Sequence, residues 1–106
     1  MENDGSIMFM LAGGFYRSEE EQEQIASLVP GESAVDLIPE PDNEHDPNAI
    51  AVYFEGTHLG YVPKEHNKGL GDIMAGKPGR ADVNHFSDRL VPVMEYIWED
   101  FGVLAG

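Results

Sequence analysis

The spacing of hydrophobic and polar positions along the chain predicts six short strands and two helices. Short apolar runs that end at Gly, Pro or Asx residues are typical of strands. Such runs lie at 7–11, 33–38, 49–54, 58–62, 80–86 and, with more than one interpretation, 90–99. Helical spacing with start and stop signals favours helices at 18–28 and 64–75.

The two helices have recognisable ends. Ser18 and Glu21 form a capping box at the start of the first helix, and Pro30-Gly31 follows its end. Pro63-Lys64 opens the second helix, in which Leu70, Ile73 and Met74 share one face. Glycines within this second segment weaken its helical propensity by about 1 kcal/mol each relative to alanine.

Residues 49–62 predict the central hairpin of the fold. The apolar run 49–54 is rich in β-branched and aromatic residues, and a Gly-containing turn joins it to the run 58–62. Side chains alternate across a strand, so one register buries Ile50, Val52 and Phe54 and the other buries Ala51 and Tyr53. Because Phe54 lies near the turn, we expect Ile50, Val52 and Leu59 in the core.

The segment 90–99 fits either a helix or a strand. One helical face would carry Val93, Met94, Ile97, Trp98 and Phe101. A strand would instead align Leu90, Met94, Tyr96 and Trp98 on one face. Periodicity slightly favours the helix, although Pro92 could then stand only at its start.

Length and composition indicate one globular domain spanning 1–106. The chain has 106 residues, 42% of them hydrophobic, which suffices for a single core. It has no cysteine, and no apolar run approaches the roughly 20 residues of a membrane helix. The first six residues are polar and acidic, unlike a signal peptide. We therefore expect a cytoplasmic protein with no membrane partner.

The charge balance excludes a general DNA-coating protein. The chain has six Lys or Arg residues and twenty Asp or Glu residues, which gives a net charge of −14. Non-specific binding to nucleic acid depends on neutralising phosphates, which such a surface repels. Any nucleic-acid binding must therefore occur at one local site.

Motifs for cofactors, metals and catalysis are incomplete. Residues 71–78 resemble a phosphate-binding P-loop but have Pro78 in place of the Ser or Thr that holds magnesium. Counted from Asp42, a calcium loop would need Gly and Glu where this chain has Pro47 and Tyr53. No Gly-x-Ser-x-Gly motif is present. We expect no enzymatic activity, no cofactor and no metal.

Two blocks of sequence resemble the HIRAN domain family. The first comprises Pro41-Asp42-Asn43 and 46–52, which reads DPNAIAV, and the second comprises 59–65, which reads LGYVPKE. The similarity is strongest over 37–65 and extends loosely over 9–98. It implies a mainly β (α+β) fold, a small OB-like β-barrel with two short helices. It also implies a strand at 90–99, which is the interpretation we adopt.

The same resemblance implies a binding site for the 3′-hydroxyl end of single-stranded DNA. Asp46 matches the family's aspartate that accepts a hydrogen bond from the terminal hydroxyl. Tyr16 and Tyr61 match rings that stack on unpaired bases, and Lys64 matches a lysine that pairs with the penultimate phosphate. Further matches of the site are Asn43, His45 in place of a tyrosine, and Arg17, displaced by two positions from the family's arginine.

These observations predict a stand-alone HIRAN-like module that binds DNA ends in DNA repair or processing. A DNA-processing protein is a second candidate partner. The alternative is an acidic protein-interaction module that keeps the barrel without binding DNA. A structural role for Asn48 also stays open, because Asp-Pro-Asn is a turn-forming sequence. The oligomeric state is not determined by the sequence.

Overall fold

Strands and helices follow one another along the chain in the order β1-α1-β2-β3-β4-α2-β5-β6. The computed structural model describes residues 5–12 and 18–98. Within them the elements are β1 Gly5–Met10, α1 Glu19–Ala26, β2 Ala34–Pro39, β3 Ile50–Phe54, β4 Thr57–Tyr61, α2 Lys64–Met74, β5 Gly79–Phe86 and β6 Pro92–Trp98.

The six strands form one antiparallel sheet in the order β1-β6-β5-β2-β3-β4. The two edge strands approach each other at a single bridge, where Ala12 and Tyr61 exchange N–H to O bonds of 2.9 and 2.8 Å. Throughout Gly5–Met10, β1 pairs with β6, so among the described residues no ladder joins it to β4. The mainly antiparallel β fold with two helices is confirmed. The sheet is open, and the predicted OB-like barrel is not confirmed.

One hydrophobic core joins the strands of this sheet to Ile25 of α1 and to Leu70 and Met74 of α2. Its largest fully buried side chains are Val35, Leu37, Ile50, Val52, Leu59, Leu70, Val83, Pro92 and Met94. The predicted core positions Ile50, Val52 and Leu59 are at most 2% exposed, so this prediction is confirmed. Strict alternation fails at Ala51, which is also buried. The methyl side chain of Ala51 lies between its larger cross-strand partners, Ile38 and Tyr61, which leave it little access to solvent.

The helices start where their sequence signals predict and end slightly earlier. The Ser18 Oγ accepts a hydrogen bond of 3.2 Å from the Glu21 N–H, and α1 ends at Ala26. Helix α2 ends at Met74 because Ala75 adopts a left-handed conformation, with φ 57° and ψ 36°. Neither of these two described helices is long and apolar enough to span a membrane.

The segment with two interpretations is a strand, β6, as the family resemblance implied. It lies between β1 and β5 and pairs with both, so its backbone hydrogen bonds outweigh its helical periodicity. Pro92 is the first residue of the strand, where its missing N–H costs least. A register shift lies nearby in β5, between Val83 and His85. Phe101, the last member of the predicted helical face, lies outside the described residues.

Val52→Ala should destabilise the protein by about 1 to 3 kcal/mol, because it leaves a cavity in a fully buried site. Urea unfolding monitored by circular dichroism would measure this loss. Ile97→Ala is the control, since Ile97 is a strand residue with 56% of its surface exposed. Its effect should stay within about 0.5 kcal/mol. A similarly small effect for Val52→Ala would show that Val52 is not a core residue.

Candidate nucleic-acid interface

A cleft of about 320 Å³ opens where β3 begins, β4 ends and α2 begins. The antiparallel hairpin brings the first two of these points together, because Ala51 pairs with Tyr61. Helix α2 starts three residues later, at Lys64. Ala12, just beyond β1, completes the wall through its bridge to Tyr61. Four separate segments of the chain therefore contribute to one site.

Five of the seven residues predicted for the site line this cleft. They are Asn43, His45, Asp46, Tyr61 and Lys64. The other two, Tyr16 and Arg17, lie outside the described residues. The remaining lining residues are Ala12, Ala49, Val62 and Asn67. Residues as far apart in the sequence as Ala12 and Asn67 thus share one surface.

Asp46 is held in the cleft by four hydrogen bonds. Its N–H donates to Asn43 Oδ1 at 3.0 Å, and its carbonyl accepts from the Ala49 N–H at 3.0 Å. Its carboxylate oxygens are also bonded, since Oδ1 accepts from the Asn48 N–H at 2.9 Å and Oδ2 accepts from Asn67 Nδ2 at 2.8 Å. Both the backbone and the side chain of Asp46 are therefore fixed before any ligand arrives.

Asn67 is a site residue that the sequence interpretation missed. It lies on α2, is only 4% exposed, and donates to the Asp46 carboxylate across 21 residues of sequence. Its position could have drawn notice, because it follows Lys64 by three residues and so shares a helical face with it. Nothing local in the sequence relates it to Asp46.

Glu40 is a second missed residue and connects the loop to the end of β4. Its Oε1 accepts from Asn43 Nδ2 at 2.9 Å and from the Tyr61 hydroxyl at 3.1 Å. Asn43 in turn accepts the N–H groups of His45 and Asp46. A single carboxylate therefore connects the loop that carries Asp46 to the aromatic residue on the opposite wall.

Aromatic packing supports the ring of Tyr61. His58 contacts it edge to face, with ring centroids 4.9 Å apart, and stacks on Tyr53 at 5.0 Å on its other side. The His58 Nε2 also lies 2.9 Å from the Gly60 carbonyl oxygen, which holds the imidazole in place. Because the Tyr61 hydroxyl is bonded to Glu40, its ring is the part available to a ligand.

Two pKa values in the cleft are shifted, in opposite directions. The pKa of Asp46 is lowered from its usual 3.8, chiefly by the Asn48 N–H and then by Asn67; partial burial opposes this and Lys64 reinforces it. The pKa of Tyr61 is raised by burial first and by the bond to Glu40 second. At neutral pH the cleft therefore presents an ionised carboxylate beside a neutral phenol.

Positive charge is scarce around the cleft. Lys64 is the single lysine or arginine among the described lining residues. Lys68, one helical turn further on, pairs with Asp72 at 3.4 Å and lines an adjoining cleft of about 350 Å³. No group of three or more His, Asp or Glu residues in the described ranges is arranged to hold a metal ion. The chemistry offered is a fixed acceptor, a ring and one cation.

The family model of the HIRAN domain matches residues 5–99, which is most of the chain. The chain belongs to the HIRAN family. HIRAN domains are known as a family that binds the 3′ ends of single-stranded DNA. No curated protein matches the chain.

A solved structure shares the HIRAN fold described above. It is the crystal structure of a Lactobacillus plantarum protein, determined by a structural genomics consortium. The two chains are 22% identical and superpose with a TM-score of 0.72, over 92% of this chain and 97% of that one. At this identity the likeness establishes the fold and not the ligand.

Removing Asn67 from this HIRAN domain should raise the pKa of Asp46. Asn67→Ala deletes one of the two hydrogen bonds that favour the ionised carboxylate. An NMR titration of the Asp46 side-chain carboxyl carbon would measure the shift. Glu65→Ala, an exposed change on the same helix, should leave this pKa unaltered.

The same bond should appear in the pH dependence of stability. A lowered pKa means that ionised Asp46 stabilises the folded state above pH 3.8, and that this contribution is lost as the pH falls through the folded-state value. The Asn67→Ala protein should therefore lose less of its stability on acidification than the wild type. Identical pKa values for Asp46 in both proteins would contradict the assigned hydrogen bond.

Proposed function

We propose that this HIRAN domain binds the 3′-hydroxyl end of single-stranded DNA in DNA repair or processing. The observation that carries the proposal is Asp46, whose ionised carboxylate accepts two hydrogen bonds and whose backbone makes two more, in a cleft that also contains Tyr61 and Lys64. Family membership supports the class of ligand.

Asp46 supplies the selectivity for the end of the strand. A carboxylate accepts a hydrogen bond from a terminal hydroxyl, which an internal nucleotide does not possess. It repels a terminal phosphate, because both groups are negative at neutral pH. Since the loop and α2 already hold Asp46, little conformational entropy is lost when the hydroxyl binds.

The other cleft residues supply affinity that does not depend on base identity. Tyr61 and the exposed ring of His45 offer faces on which unpaired bases stack, each worth about 1 to 3 kcal/mol. Lys64 provides a point charge for the phosphate that precedes the terminal sugar. By the family resemblance, Tyr16 adds a ring and Arg17 a charge. Asn43 acts indirectly, by holding the backbone of His45 and Asp46.

The net charge of −14 fits a ligand that is recognised at one end. A long strand would bring many phosphates against an acidic surface, whereas a strand end requires contact with only one or two. Electrostatic attraction therefore contributes little here, and hydrogen bonding and stacking carry the recognition.

Single-stranded oligonucleotides with a free 3′-hydroxyl should bind more tightly than the same strands with a 3′-phosphate, on the order of tenfold or more, because a hydrogen bond to a charged group is involved. Fluorescence anisotropy with 5′-labelled strands would measure both affinities. Asp46→Ala should abolish the preference for the 3′-hydroxyl strand. Its effect on the overall affinity for single strands should be smaller than its effect on this preference.

Asp46→Asn is the companion to Asp46→Ala. The new side chain has no charge but keeps an oxygen that can accept from the Asn48 N–H. Its NH₂ group can donate to the Asn67 carbonyl oxygen if the Asn67 amide flips. This variant separates loss of the carboxylate from collapse of the loop. Equal binding of 3′-hydroxyl and 3′-phosphate strands by the wild type would eliminate end recognition as the mechanism.

Lys64→Ala should have the opposite effect. It should weaken binding of the 3′-hydroxyl and the 3′-phosphate oligonucleotide alike, and preserve the preference for the 3′-hydroxyl. Lys64 and Arg17 neutralise at most two phosphates, so the plot of log affinity against log salt should be no steeper than about −1.4, and Lys64→Ala should flatten it by about 0.7. Isothermal titration across a series of salt concentrations would measure this slope. A much steeper slope would indicate an extended backbone contact instead of an end site.

The acidic surface favours one second function, an interaction module for a basic protein partner. Twenty acidic residues on a chain of this length form the negative field that such a partner would recognise. The two functions separate at low salt, where the salt dependence predicted above makes binding of a single strand tightest. Failure of every single-stranded oligonucleotide to bind there would reject end recognition and support the protein-interaction function.

A further inference from the structure

We propose that the cleft prefers a terminal ribose to a terminal deoxyribose, so that a 3′ end carrying a 2′,3′-diol, as in RNA, is its better ligand. The inference rests on the proposed function, because it assigns Asp46 as the acceptor for the terminal hydroxyl. It goes further by naming the sugar. Three features of the described residues carry it.

The first feature is the number of acceptor positions that remain on Asp46. An ionised carboxylate has about four lone-pair positions, two on each oxygen. The Asn48 N–H occupies one position on Oδ1, and the Asn67 amide occupies one on Oδ2. One position therefore remains on each oxygen, and the two free positions belong to a single rigid group. A ribose end presents two hydroxyls on neighbouring ring carbons, whereas a deoxyribose end presents one.

The second feature is the carbonyl oxygen of Asn67. Because a carboxylate can only accept, the amide must direct its NH₂ group towards Asp46, and Oδ1 then points in a different direction within the same amide plane. Within the described part of the chain, Oδ1 has no hydrogen-bond donor, although Asn67 is only 4% exposed and lines the cleft. A buried carbonyl without a donor is unfavourable. A sugar hydroxyl in the cleft would provide that donor.

The third feature is the shortage of cations. Lys64 is the single lysine or arginine among the described lining residues, and it shares the cleft with the negative charge of Asp46. Recognition must therefore rest on hydrogen bonds to the sugar more than on phosphate contacts. An acidic residue that binds the hydroxyls of a ribose is also the solution found in dinucleotide-binding folds. The chemistry of the cleft thus matches a diol.

The test compares four strands of identical DNA sequence that differ only in the terminal sugar. They end in a deoxyribonucleotide, a ribonucleotide, a 2′-O-methyl ribonucleotide with a free 3′-hydroxyl, and a deoxyribonucleotide 3′-phosphate. The ribonucleotide end should bind on the order of tenfold more tightly than the deoxyribonucleotide end, the factor expected of one added charge-assisted hydrogen bond. The 2′-O-methyl end should lose this advantage, because an ether oxygen has no proton to donate.

Two variants assign the effect to named groups. Asp46→Asn replaces one acceptor oxygen by a donor and should bring the ribose and deoxyribose ends to within about twofold of each other. Asn67→Ala should reduce the ribose advantage, and Glu65→Ala, on the exposed side of the same helix, should preserve it. An advantage that survives in Asp46→Asn would come from sugar pucker or stacking and would overturn the proposal.

The outcomes also distinguish this inference from the function on which it rests. Preference for 3′-hydroxyl over 3′-phosphate DNA, with ribose and deoxyribose ends bound equally or the ribose end bound more weakly, would overturn the inference alone. Equal binding of 3′-hydroxyl and 3′-phosphate ends, or no binding of any strand, would overturn both. Tighter binding of the ribose end that depends on Asp46 would support both.

Discussion

The burial of three consecutive residues in β3 is the constraint on which the rest of this structure depends. Ile50, Ala51 and Val52 are at most 1% exposed, since β2 and β4 flank the strand and its neighbours cover both of its faces. A shift of one residue would exchange the core face and the outer face, so the register of the hairpin is strongly determined. That register places the loop entering β3 beside Tyr61, at the end of β4. The cleft is a direct consequence of this pairing.

The loop before β3 gains its rigidity from contacts in two directions. Glu40 connects it to Tyr61 on the sheet, and Asn67 connects Asp46 to α2. Such bracing holds the carboxylate in place before a ligand binds, which lowers the entropic cost of recognition. It also accounts for how an acidic protein could select a nucleic-acid end. In the proposed function, selectivity comes from hydrogen-bond geometry, which the net charge does not set, while charge mainly governs affinity and its salt dependence.

The features that the sequence predicted are those with local causes. The hairpin follows from two apolar runs joined by Glu55-Gly56, both of which adopt positive φ in the turn. The start of α1 follows from Ser18, whose hydroxyl accepts the Glu21 N–H three residues later. The turn at Asp46 follows from an aspartate that can bond to the N–H two residues on. In each case the interacting groups lie within a few positions of one another.

Sequence therefore determined most of the elements and the hairpin core, and the family resemblance supplied five of the residues that line the cleft. Tertiary structure decided that 92–98 is a strand, because its helical periodicity was outweighed by ladders to two other strands. It also decided that the sheet stays open, with Ala12 and Tyr61 as the one bridge between β1 and β4 in the described ranges. The side-chain hydrogen bonds between Asn67 and Asp46 and between Tyr61 and Glu40 each join residues 21 positions apart. No periodicity or turn signal encodes such a pair, because the two groups meet only after the sheet and α2 have packed together.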